Sequence, residues 1–229
     1  MKLLAFDTST EACSAALFLD GSVTELFEIT PRQQSRRILT MIEQLLSVAD
    51  VHLSQLDAVA FTNGPGSFTG IRLAASVAQG LALGADLPVI PVSTLTAMAQ
   101  GAYRDFQAKN VLVAMDGHSG EIYWGVYKWH EQSMHSVISE QRCNPAEVPI
   151  PEKCDYLGVG NGWEIYAEVL NQRIPGIKSI KTLHPQAIDV AKLAEIAFSR
   201  GCFVLPEAVV PYYLHQADTW KKLSNPKDI

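Results

Sequence analysis

Residues 62–72, TNGPGSFTGIR, place three glycines and one proline between two apolar stretches. Residues 56–61, LDAVAF, precede this segment and have the composition of a buried strand. Residues 73–85, LAASVAQGLALGA, follow it and predict a helix of small and aliphatic side chains. Many proteins hold a phosphate group at a glycine-rich turn from a strand into a helix. The segment therefore raises the question of whether this protein binds a phosphate.

The spacing of these glycines does not match the common phosphate-binding motifs. No Gly-Lys-Ser/Thr follows, as a Walker loop requires, and the order G-x-G-x-x-x-G differs from the dinucleotide fingerprint. The segment contains no lysine, and its one cation is Arg72. These features favour a tight turn in which Ser67 or Thr69 caps the following helix, with a phosphate site as the alternative.

The composition is that of a globular chain without a strong basic field. Its 229 residues are 48% hydrophobic and 18% charged, which suffices for one large domain or two smaller lobes. The formal net charge of -6 indicates that a role near RNA would need a basic partner. The four cysteines form no Cys-x-x-Cys pair and the six histidines no His-x-x-x-His pair, so we expect no metal centre.

The apolar runs are too short for a membrane span, because Gly84, Pro88 and Pro91 interrupt the longest of them. The N-terminal MKLLAFD is too short for the core of a signal peptide and predicts a first strand. Together with the scattered cysteines, this favours a protein of the cytoplasm.

The order of elements predicts an α/β protein of two related lobes. Strands are expected over 3–7, 12–19 and 22–29, with Asp20-Gly21 as a hairpin turn, and a helix over 36–49. Strands over 110–116 and 121–129 repeat the opening order of apolar strand, Asp, polar turn and strand. We therefore expect a first lobe over 1–100, a second, smaller lobe over 101–184, and a return to the first lobe over about 185–229.

A carboxylate and three hydroxyls follow the first strand, in the order Asp7, Thr8, Ser9 and Thr10. Such a turn can hold a hydrated magnesium ion and present amides and hydroxyls to a phosphate. An Asx-type turn that closes a hairpin is at least as good an interpretation. Asp116 begins the corresponding turn of the second lobe, with the same two interpretations.

Two helices carry more apolar or small residues than one core-facing stripe needs, which favours a partner surface. The residues expected there are Ile38, Met41, Ile42 and Leu45 on the first helix and Ile71, Ala74, Ala75 and Ala78 on the second. A charge at Ala75 or Ala78, whichever faces solvent, should block pairing and leave the fold intact.

Four segments of the sequence resemble the TsaB family, also called YeaZ. They are LLAFDTSTEACSAAL, NGPGSFTGIRLAASVAQGLAL, DGHSGEIYW and the closing WKKL, and the resemblance runs over nearly the whole chain. It implies a two-lobed fold of the sugar kinase, Hsp70 and actin type, each lobe a mixed β-sheet flanked by helices. It also implies a role in forming N6-threonylcarbamoyladenosine next to the anticodon of tRNAs that read codons beginning with A.

The resemblance further implies a set of partners and a division of labour. A non-catalytic, scaffolding subunit of this family binds the catalytic paralogue TsaD, which holds the metal histidines and is joined by the ATPase TsaE. A TsaC-type synthase supplies the threonylcarbamoyl-adenylate. Alone, the chain would form a homodimer, and it would meet tRNA only through the complex. The turn after Asp7 would be a vestigial nucleotide site without a tightly bound cofactor, with ATP or ADP held at most at the interface of the complex.

The alternatives to a scaffold are an enzyme, either a weak ATPase or a peptidase acting on TsaD, and a homodimeric structural protein. The chain also departs from the family pattern. Gln34 and Thr40 stand where many relatives carry His and Pro, and His118 and His215 stand where Arg is common. The loss of two arginines weakens the case for anion binding at those two positions.

Overall fold

A computed structural model of the chain describes residues 1–152, 155–180 and 183–214. The strands are β1 (Lys2–Asp7), β2 (Ala12–Leu19), β3 (Ser22–Ile29), β4 (Ala58–Gly64), β5 (Val89–Ser93), β6 (Asn110–Asp116), β7 (Ile122–His130), β8 (Ser133–Cys143), β9 (Leu157–Val159) and β10 (Lys178–Ile180). The helices are α1 (Gln34–Val48), α2 (Phe68–Ala85), α3 (Thr94–Phe106), α4 (Gly162–Ile165), α5 (Ala167–Arg173) and α6 (Ala187–Ser199). His215 and the closing WKKL lie outside the described residues.

The first sheet has the order β3-β2-β1-β4-β5. β1, β2 and β3 form the predicted antiparallel meander, and β4 and β5 extend it in parallel. Asp20 and Gly21 both have positive φ angles, 49° and 97°, as a tight hairpin turn requires. The predicted bounds of the second and third strands, 12–19 and 22–29, are therefore confirmed.

The second sheet repeats the plan of the first, in the order β10-β9-β6-β7-β8. β6, β7 and β8 form an antiparallel meander, and β9 and β10 extend it in parallel on the other side of β6. The repeat seen in the sequence is thus a repeat of strand order. β8 was not predicted, because its partly exposed, polar residues carry no clear alternation. The predicted α/β fold of two mixed sheets flanked by helices is confirmed.

Helices cover both faces of the first sheet. α1 and α2 pack on one face, where Phe6 and Phe61 belong to a shared core. α6 packs on the other face against β1, β2, β4 and β5, with Val190 and Ala194 in the core. The return of the chain over 187–199 thus ends on the first sheet, whereas residues 215–229 of the predicted return lie outside the described residues. In the part of the chain that is described, no helix combines the length and the apolar character that crossing a membrane requires.

α3 belongs to the cores of both sheets. Ala97 packs with the first sheet, whereas Leu95 and Met98 pack with the second. Because Gly101 lies inside this helix, the expected division into lobes near that residue falls within α3, and the domain bounds stay a prediction.

One carboxylate fastens the start of α3 to the second sheet. Glu140 Oε1, on β8, accepts hydrogen bonds from Ser93 Oγ at 2.5 Å, Tyr127 Oη at 2.5 Å and Thr96 Oγ1 at 3.3 Å. Ser93 also caps α3 by accepting from the Thr96 N–H at 3.3 Å. Three donors on one oxygen join the β5–α3 junction to β7 and β8.

The structure corrects the choice of residues for a partner surface. The eight residues named for it are all buried within the chain: Ile38, Met41, Ile42, Leu45, Ile71, Ala74, Ala75 and Ala78. The apolar stripe of α1 is its contact with the first sheet, and the small residues of α2 let that helix approach the strands closely. The expectation that Ala75 or Ala78 faces solvent is therefore wrong. A partner surface on α1 and α2 stays a prediction and must use their outward faces.

We expect Ala78→Glu to destabilise the folded chain by more than about 3 kcal/mol, because the carboxylate would enter an apolar core without a partner. Urea unfolding measures the loss. Ser76→Glu, on the exposed side of the same helix, should change the free energy of unfolding by no more than about 0.5 kcal/mol. Equal stability of the two variants would contradict the assignment of Ala78 to the core.

Candidate functional site in the cleft between the sheets

The turn after β1 is built around a fully buried carboxylate. Asp7 Oδ1 accepts hydrogen bonds from the Ser9 N–H at 3.2 Å and the Ser9 hydroxyl at 2.6 Å, and also from the Thr62 hydroxyl on β4. Asp7 Oδ2 has no hydrogen-bond partner among the described residues. Burial raises the pKa of Asp7 to about 6, while the hydrogen bonds from Ser9 and Thr62 oppose that rise. This is the Asx-type turn that the sequence allows.

The glycine segment lies directly on this turn. The Ser67 N–H donates to the Ser9 carbonyl at 2.8 Å, and the Thr8 hydroxyl donates to the Gly70 carbonyl at 2.8 Å. A Cβ added to Gly66 would lie 2.5 Å from the Ser9 oxygen, and one added to Gly70 would collide with the Thr8 oxygen. Both glycines are therefore required by the close approach of two backbones.

Ser67 is the residue that caps α2. Its hydroxyl accepts from the Gly70 N–H at 3.4 Å, a long hydrogen bond. The prediction of a cap at Ser67 or Thr69 is confirmed for Ser67, and Thr69 follows inside the helix. The proline of the segment, Pro65, follows a cis peptide bond.

Most of the groups that would face a phosphate are already occupied. The amides of Ser9 and Ser67 and the hydroxyls of Thr8 and Ser9 all donate within the two packed segments. Thr10 is the partly exposed member of the predicted set, and its hydroxyl accepts from the Ala12 N–H at 3.2 Å. In this arrangement the turn does not fit a phosphate group or a hydrated magnesium ion.

A cleft of about 790 Å³ opens beside the turn, between the two sheets. Residues that line it include Thr10, Glu11, Gln34, Ser67 and Thr69 on the side of the first sheet and Asp116, His118, Asn161 and Glu164 on the side of the second. Among the lining residues, the carboxylates of Glu11, Asp116 and Glu164 outnumber the one arginine, Arg32. Such a lining disfavours a polyanion.

Asp116 is the counterpart of Asp7 on the second sheet, but it is more open to solvent. Its Oδ1 accepts from the His118 N–H at 3.0 Å and from the Tyr166 hydroxyl at 2.9 Å. Burial, reinforced by the hydrogen bond to Asp116, raises the pKa of Tyr166 to about 12. No sequence motif marks Tyr166, which reaches Asp116 from the start of α5.

Two departures from the family pattern have definite places in the cleft. Gln34 Nε2 donates to the Thr10 carbonyl at 2.7 Å and thereby ties the start of α1 to the hydroxyl turn. The His118 ring is 80% exposed, with Nδ1 3.1 Å from Asp116 Oδ2. His215 lies outside the described residues.

The described side chains do not assemble a catalytic constellation. Within residues 1–152, 155–180 and 183–214, Gly70 is the residue hydrogen-bonded to the Ser67 hydroxyl, and no histidine reaches it. Over the same ranges, no three His, Cys, Asp or Glu side chains are grouped so that they could hold a metal ion. Ser67 is therefore not seen beside a base that could activate it in this part of the chain.

We expect Asp7 to make the free energy of unfolding pH-dependent. Because the pKa of Asp7 is about 6 in the fold and 3.8 in an unfolded chain, its contribution to stability is most favourable below about pH 4 and is lost as the pH rises through about 6. The full change is of the order of 3 kcal/mol. In urea unfolding between about pH 4 and pH 7, Asp7→Asn should lose this slope, whereas the exposed Asp86→Asn should keep it. Identical slopes in wild type and Asp7→Asn would refute the assignment.

Comparison with known proteins agrees with this architecture. The family model "TsaD: tRNA N6-adenosine threonylcarbamoyltransferase" matches residues 27–228. The tRNA threonylcarbamoyladenosine biosynthesis protein TsaB of Escherichia coli K12 is 39% identical, over 97% of this chain and 98% of that protein. TsaB of Haemophilus influenzae is also 39% identical, over 97% of each chain.

A solved structure is likewise similar to this chain, in both sequence and fold. YeaZ from Pseudomonas aeruginosa superposes with a TM-score of 0.89 at 42% sequence identity, covering 93% of this chain and 99% of that one. A second structure, of the same identity and TM-score, bears the description of an uncharacterized Pseudomonas aeruginosa protein with similarity to peptidase YEAZ. Similarity at this level, over nearly the whole of both chains, shows that this chain belongs to the TsaB family of tRNA threonylcarbamoyladenosine biosynthesis proteins.

Proposed function

We propose that the protein is a non-catalytic scaffold and activating subunit of the complex that forms N6-threonylcarbamoyladenosine in tRNA, in the cytoplasm. In this role it binds the catalytic paralogue TsaD, and TsaE joins the complex. The observation that carries the proposal is the outward face of α2. The helix is uncharged from Ser76 to Gly84, and within the described part of the chain Ser76, Gly80, Leu83 and Gly84 are exposed.

The support for a partner surface comes from small and apolar residues that remain exposed. A Cβ added to Gly80 or Gly84 would meet no other atom within 4 Å. Leu83 on α2 and Leu39 on α1 are each 53% exposed. Small residues let the backbone of a second helix approach closely, and exposed leucines supply apolar area for it to cover. Two partner helices on α1 and α2 would complete a four-helix bundle, and a second copy of this chain would take that place in a homodimer.

The support for a non-catalytic role comes from the turn and the cleft. The hydroxyl turn uses most of its donors internally, and the cleft beside it is acidic. Tight binding of ATP by the isolated chain would conflict with both features. In the proposal, ATP or ADP is held at most at the interface of the complex, the TsaC-type synthase supplies the activated threonylcarbamoyl group, and tRNA is met through the other subunits.

The competing function is an enzyme in its own right, a weak ATPase or a peptidase acting on TsaD. The glycine-serine turn and the peptidase description of a Pseudomonas aeruginosa relative motivate this alternative. A peptidase requires the Ser67 hydroxyl, or a group beside it, to act as a nucleophile, whereas an ATPase requires groups that hold the phosphates. The hydroxyl instead caps α2, which favours the scaffold.

We expect Gly80→Arg to abolish co-purification with TsaD and to stop threonylcarbamoylation in a reconstituted reaction, while the chain stays folded. The position has space for a side chain, and glycine inside a helix is less favourable than other residues by about 1 kcal/mol. Ser139→Arg, exposed on the second sheet, is the control and should bind normally. A folded Gly80→Arg that binds TsaD with wild-type affinity would overturn the assignment of this face.

We expect Ser67→Ala to retain nearly all threonylcarbamoylation activity in the complex. Loss of the cap costs about 0.5–2 kcal/mol of stability, at the lower end for a 3.4 Å hydrogen bond. Thermal unfolding measures that cost, and the reconstituted reaction measures activity. Complete loss of activity with normal folding and normal TsaD binding would instead support a catalytic serine.

A further inference from the structure

Arg72, the one cation of the glycine segment, is held in a fixed position on the outside of α2. Its guanidinium carbon lies 3.5 Å from the centre of the Phe68 ring and 5.7 Å from that of Tyr213. Its Nε donates to the Tyr213 hydroxyl at 2.7 Å. Stacking and a hydrogen bond together restrict a side chain that usually has many rotamers.

The segment that supplies Tyr213 is itself anchored along α2. Residues 203–214, here called the strap, run alongside α2 in the opposite direction. Gln79 Nε2 donates to the Pro206 carbonyl at 2.9 Å, and the Tyr212 N–H donates to the Asn63 carbonyl at 2.7 Å. These two hydrogen bonds, near the two ends of the strap, therefore fix the position of the Tyr213 ring beside Arg72.

Arg72 has no acidic partner among the described residues. Other arginines of the chain do pair: Arg37 lies 2.5 Å from Glu28, and Arg142 lies 2.8 Å from Glu121. The Arg72 side chain is exposed, and its two terminal nitrogens make no hydrogen bond within the described part of the chain. A planar guanidinium with these donors in a fixed orientation is suited to bind a carboxylate or a phosphate with two hydrogen bonds.

The surroundings of Arg72 favour a protein over RNA. Phe68 is 60% exposed, and on the strap Val210 is 66% and Tyr212 47% exposed. An arginine stacked on an exposed aromatic ring, beside a strap that carries further exposed side chains, has the composition of an interface centre between proteins. Binding of an RNA backbone would call for several cations, whereas this segment supplies one and the chain as a whole is acidic.

Arg72 is also continuous with the face of α2 that the proposed function uses. Arg72, Ser76 and Gly80 follow one another at intervals of four residues and therefore lie along the same side of the helix. A partner helix packed on Gly80 would extend toward Arg72 at the N-terminal end of α2.

We propose that Arg72 binds a carboxylate of the partner protein that covers α2, and thereby contributes to the choice of partner. This inference rests on the proposed function and adds the chemistry by which the surface recognises TsaD. The carboxylate would pair with the terminal nitrogens of Arg72, while Phe68 and Tyr213 hold the guanidinium in place.

The test measures TsaD affinity at low and high salt for wild type and for variants of Arg72. Arg72→Gln should weaken binding by about ten-fold or more at low salt and lose most of the salt dependence. Arg72→Glu should bind more weakly still. Arg72→Lys should recover part of the affinity, because it keeps the charge without the planar fork. Lys109→Glu, at an exposed position just before β6, is the control for charge reversal and should bind normally.

A second variant tests the position of the guanidinium at constant charge. Phe68→Leu removes the ring beneath Arg72, and we expect it to weaken TsaD binding by several-fold with the salt dependence kept. Thermal unfolding of every variant checks that the fold is retained.

Each contrary outcome overturns a distinct statement. If Arg72→Glu binds TsaD normally while Gly80→Arg does not, Arg72 is not the anchor and the proposed function stands. If neither change affects binding, the face of α2 is not the interface, and the surface of the proposed function fails as well. The RNA alternative holds if Arg72→Glu leaves TsaD affinity unchanged and lowers the affinity of the complex for tRNA. If light scattering shows loss of self-association only, the carboxylate belongs to a second copy of this chain.

Discussion

The close contact of two backbones, the turn after β1 and the glycine segment before α2, is the constraint on which the rest of the structure depends. Gly66 and Gly70 have no space for a Cβ because the carbonyls of Ser9 and Thr8 occupy it. The contact buries Asp7, satisfies the hydroxyls around it and fixes the point at which α2 begins. A phosphate-binding turn needs unoccupied donors, whereas here the protein itself takes most of them. The glycine segment, which in the sequence most suggests nucleotide binding, thus has a structural role.

The two lobes share a strand order, but the aspartates that end their first strands differ in burial. On the first sheet the carboxylate of Asp7 is buried beneath the glycine segment. On the second sheet Asp116 stays partly open and contacts the His118 ring and the Tyr166 hydroxyl. The first sheet therefore presents a turn with a buried carboxylate to the cleft, and the second sheet presents a turn whose polar groups are accessible. An acidic cleft of this form suits a subunit whose specific contacts lie on its outer helices, which is the role we propose.

The sequence predicts local structure well where one short pattern decides it. The apolar strand over 12–19, the alternation over 22–29 and the Asp20-Gly21 turn depend on neighbours in the chain, and all are found. Features set by distant contacts were not predictable in the same way. The apolar stripe of α1 and the small residues of α2 could serve a core or a partner, and composition does not distinguish the two. The burial of Asp7 depends on Thr62, 55 residues later.

The carboxylate of Glu140, which fastens the start of α3 to the second sheet, has a mechanical consequence. α3 contributes to both cores and therefore links the two sheets. To widen the cleft, the lobes would have to separate the Ser93, Thr96 and Tyr127 hydroxyls from one shared acceptor and bend the helix behind them. The relative orientation of the lobes is thus part of the native packing. Such a body offers its partners a surface of fixed shape, as a template does.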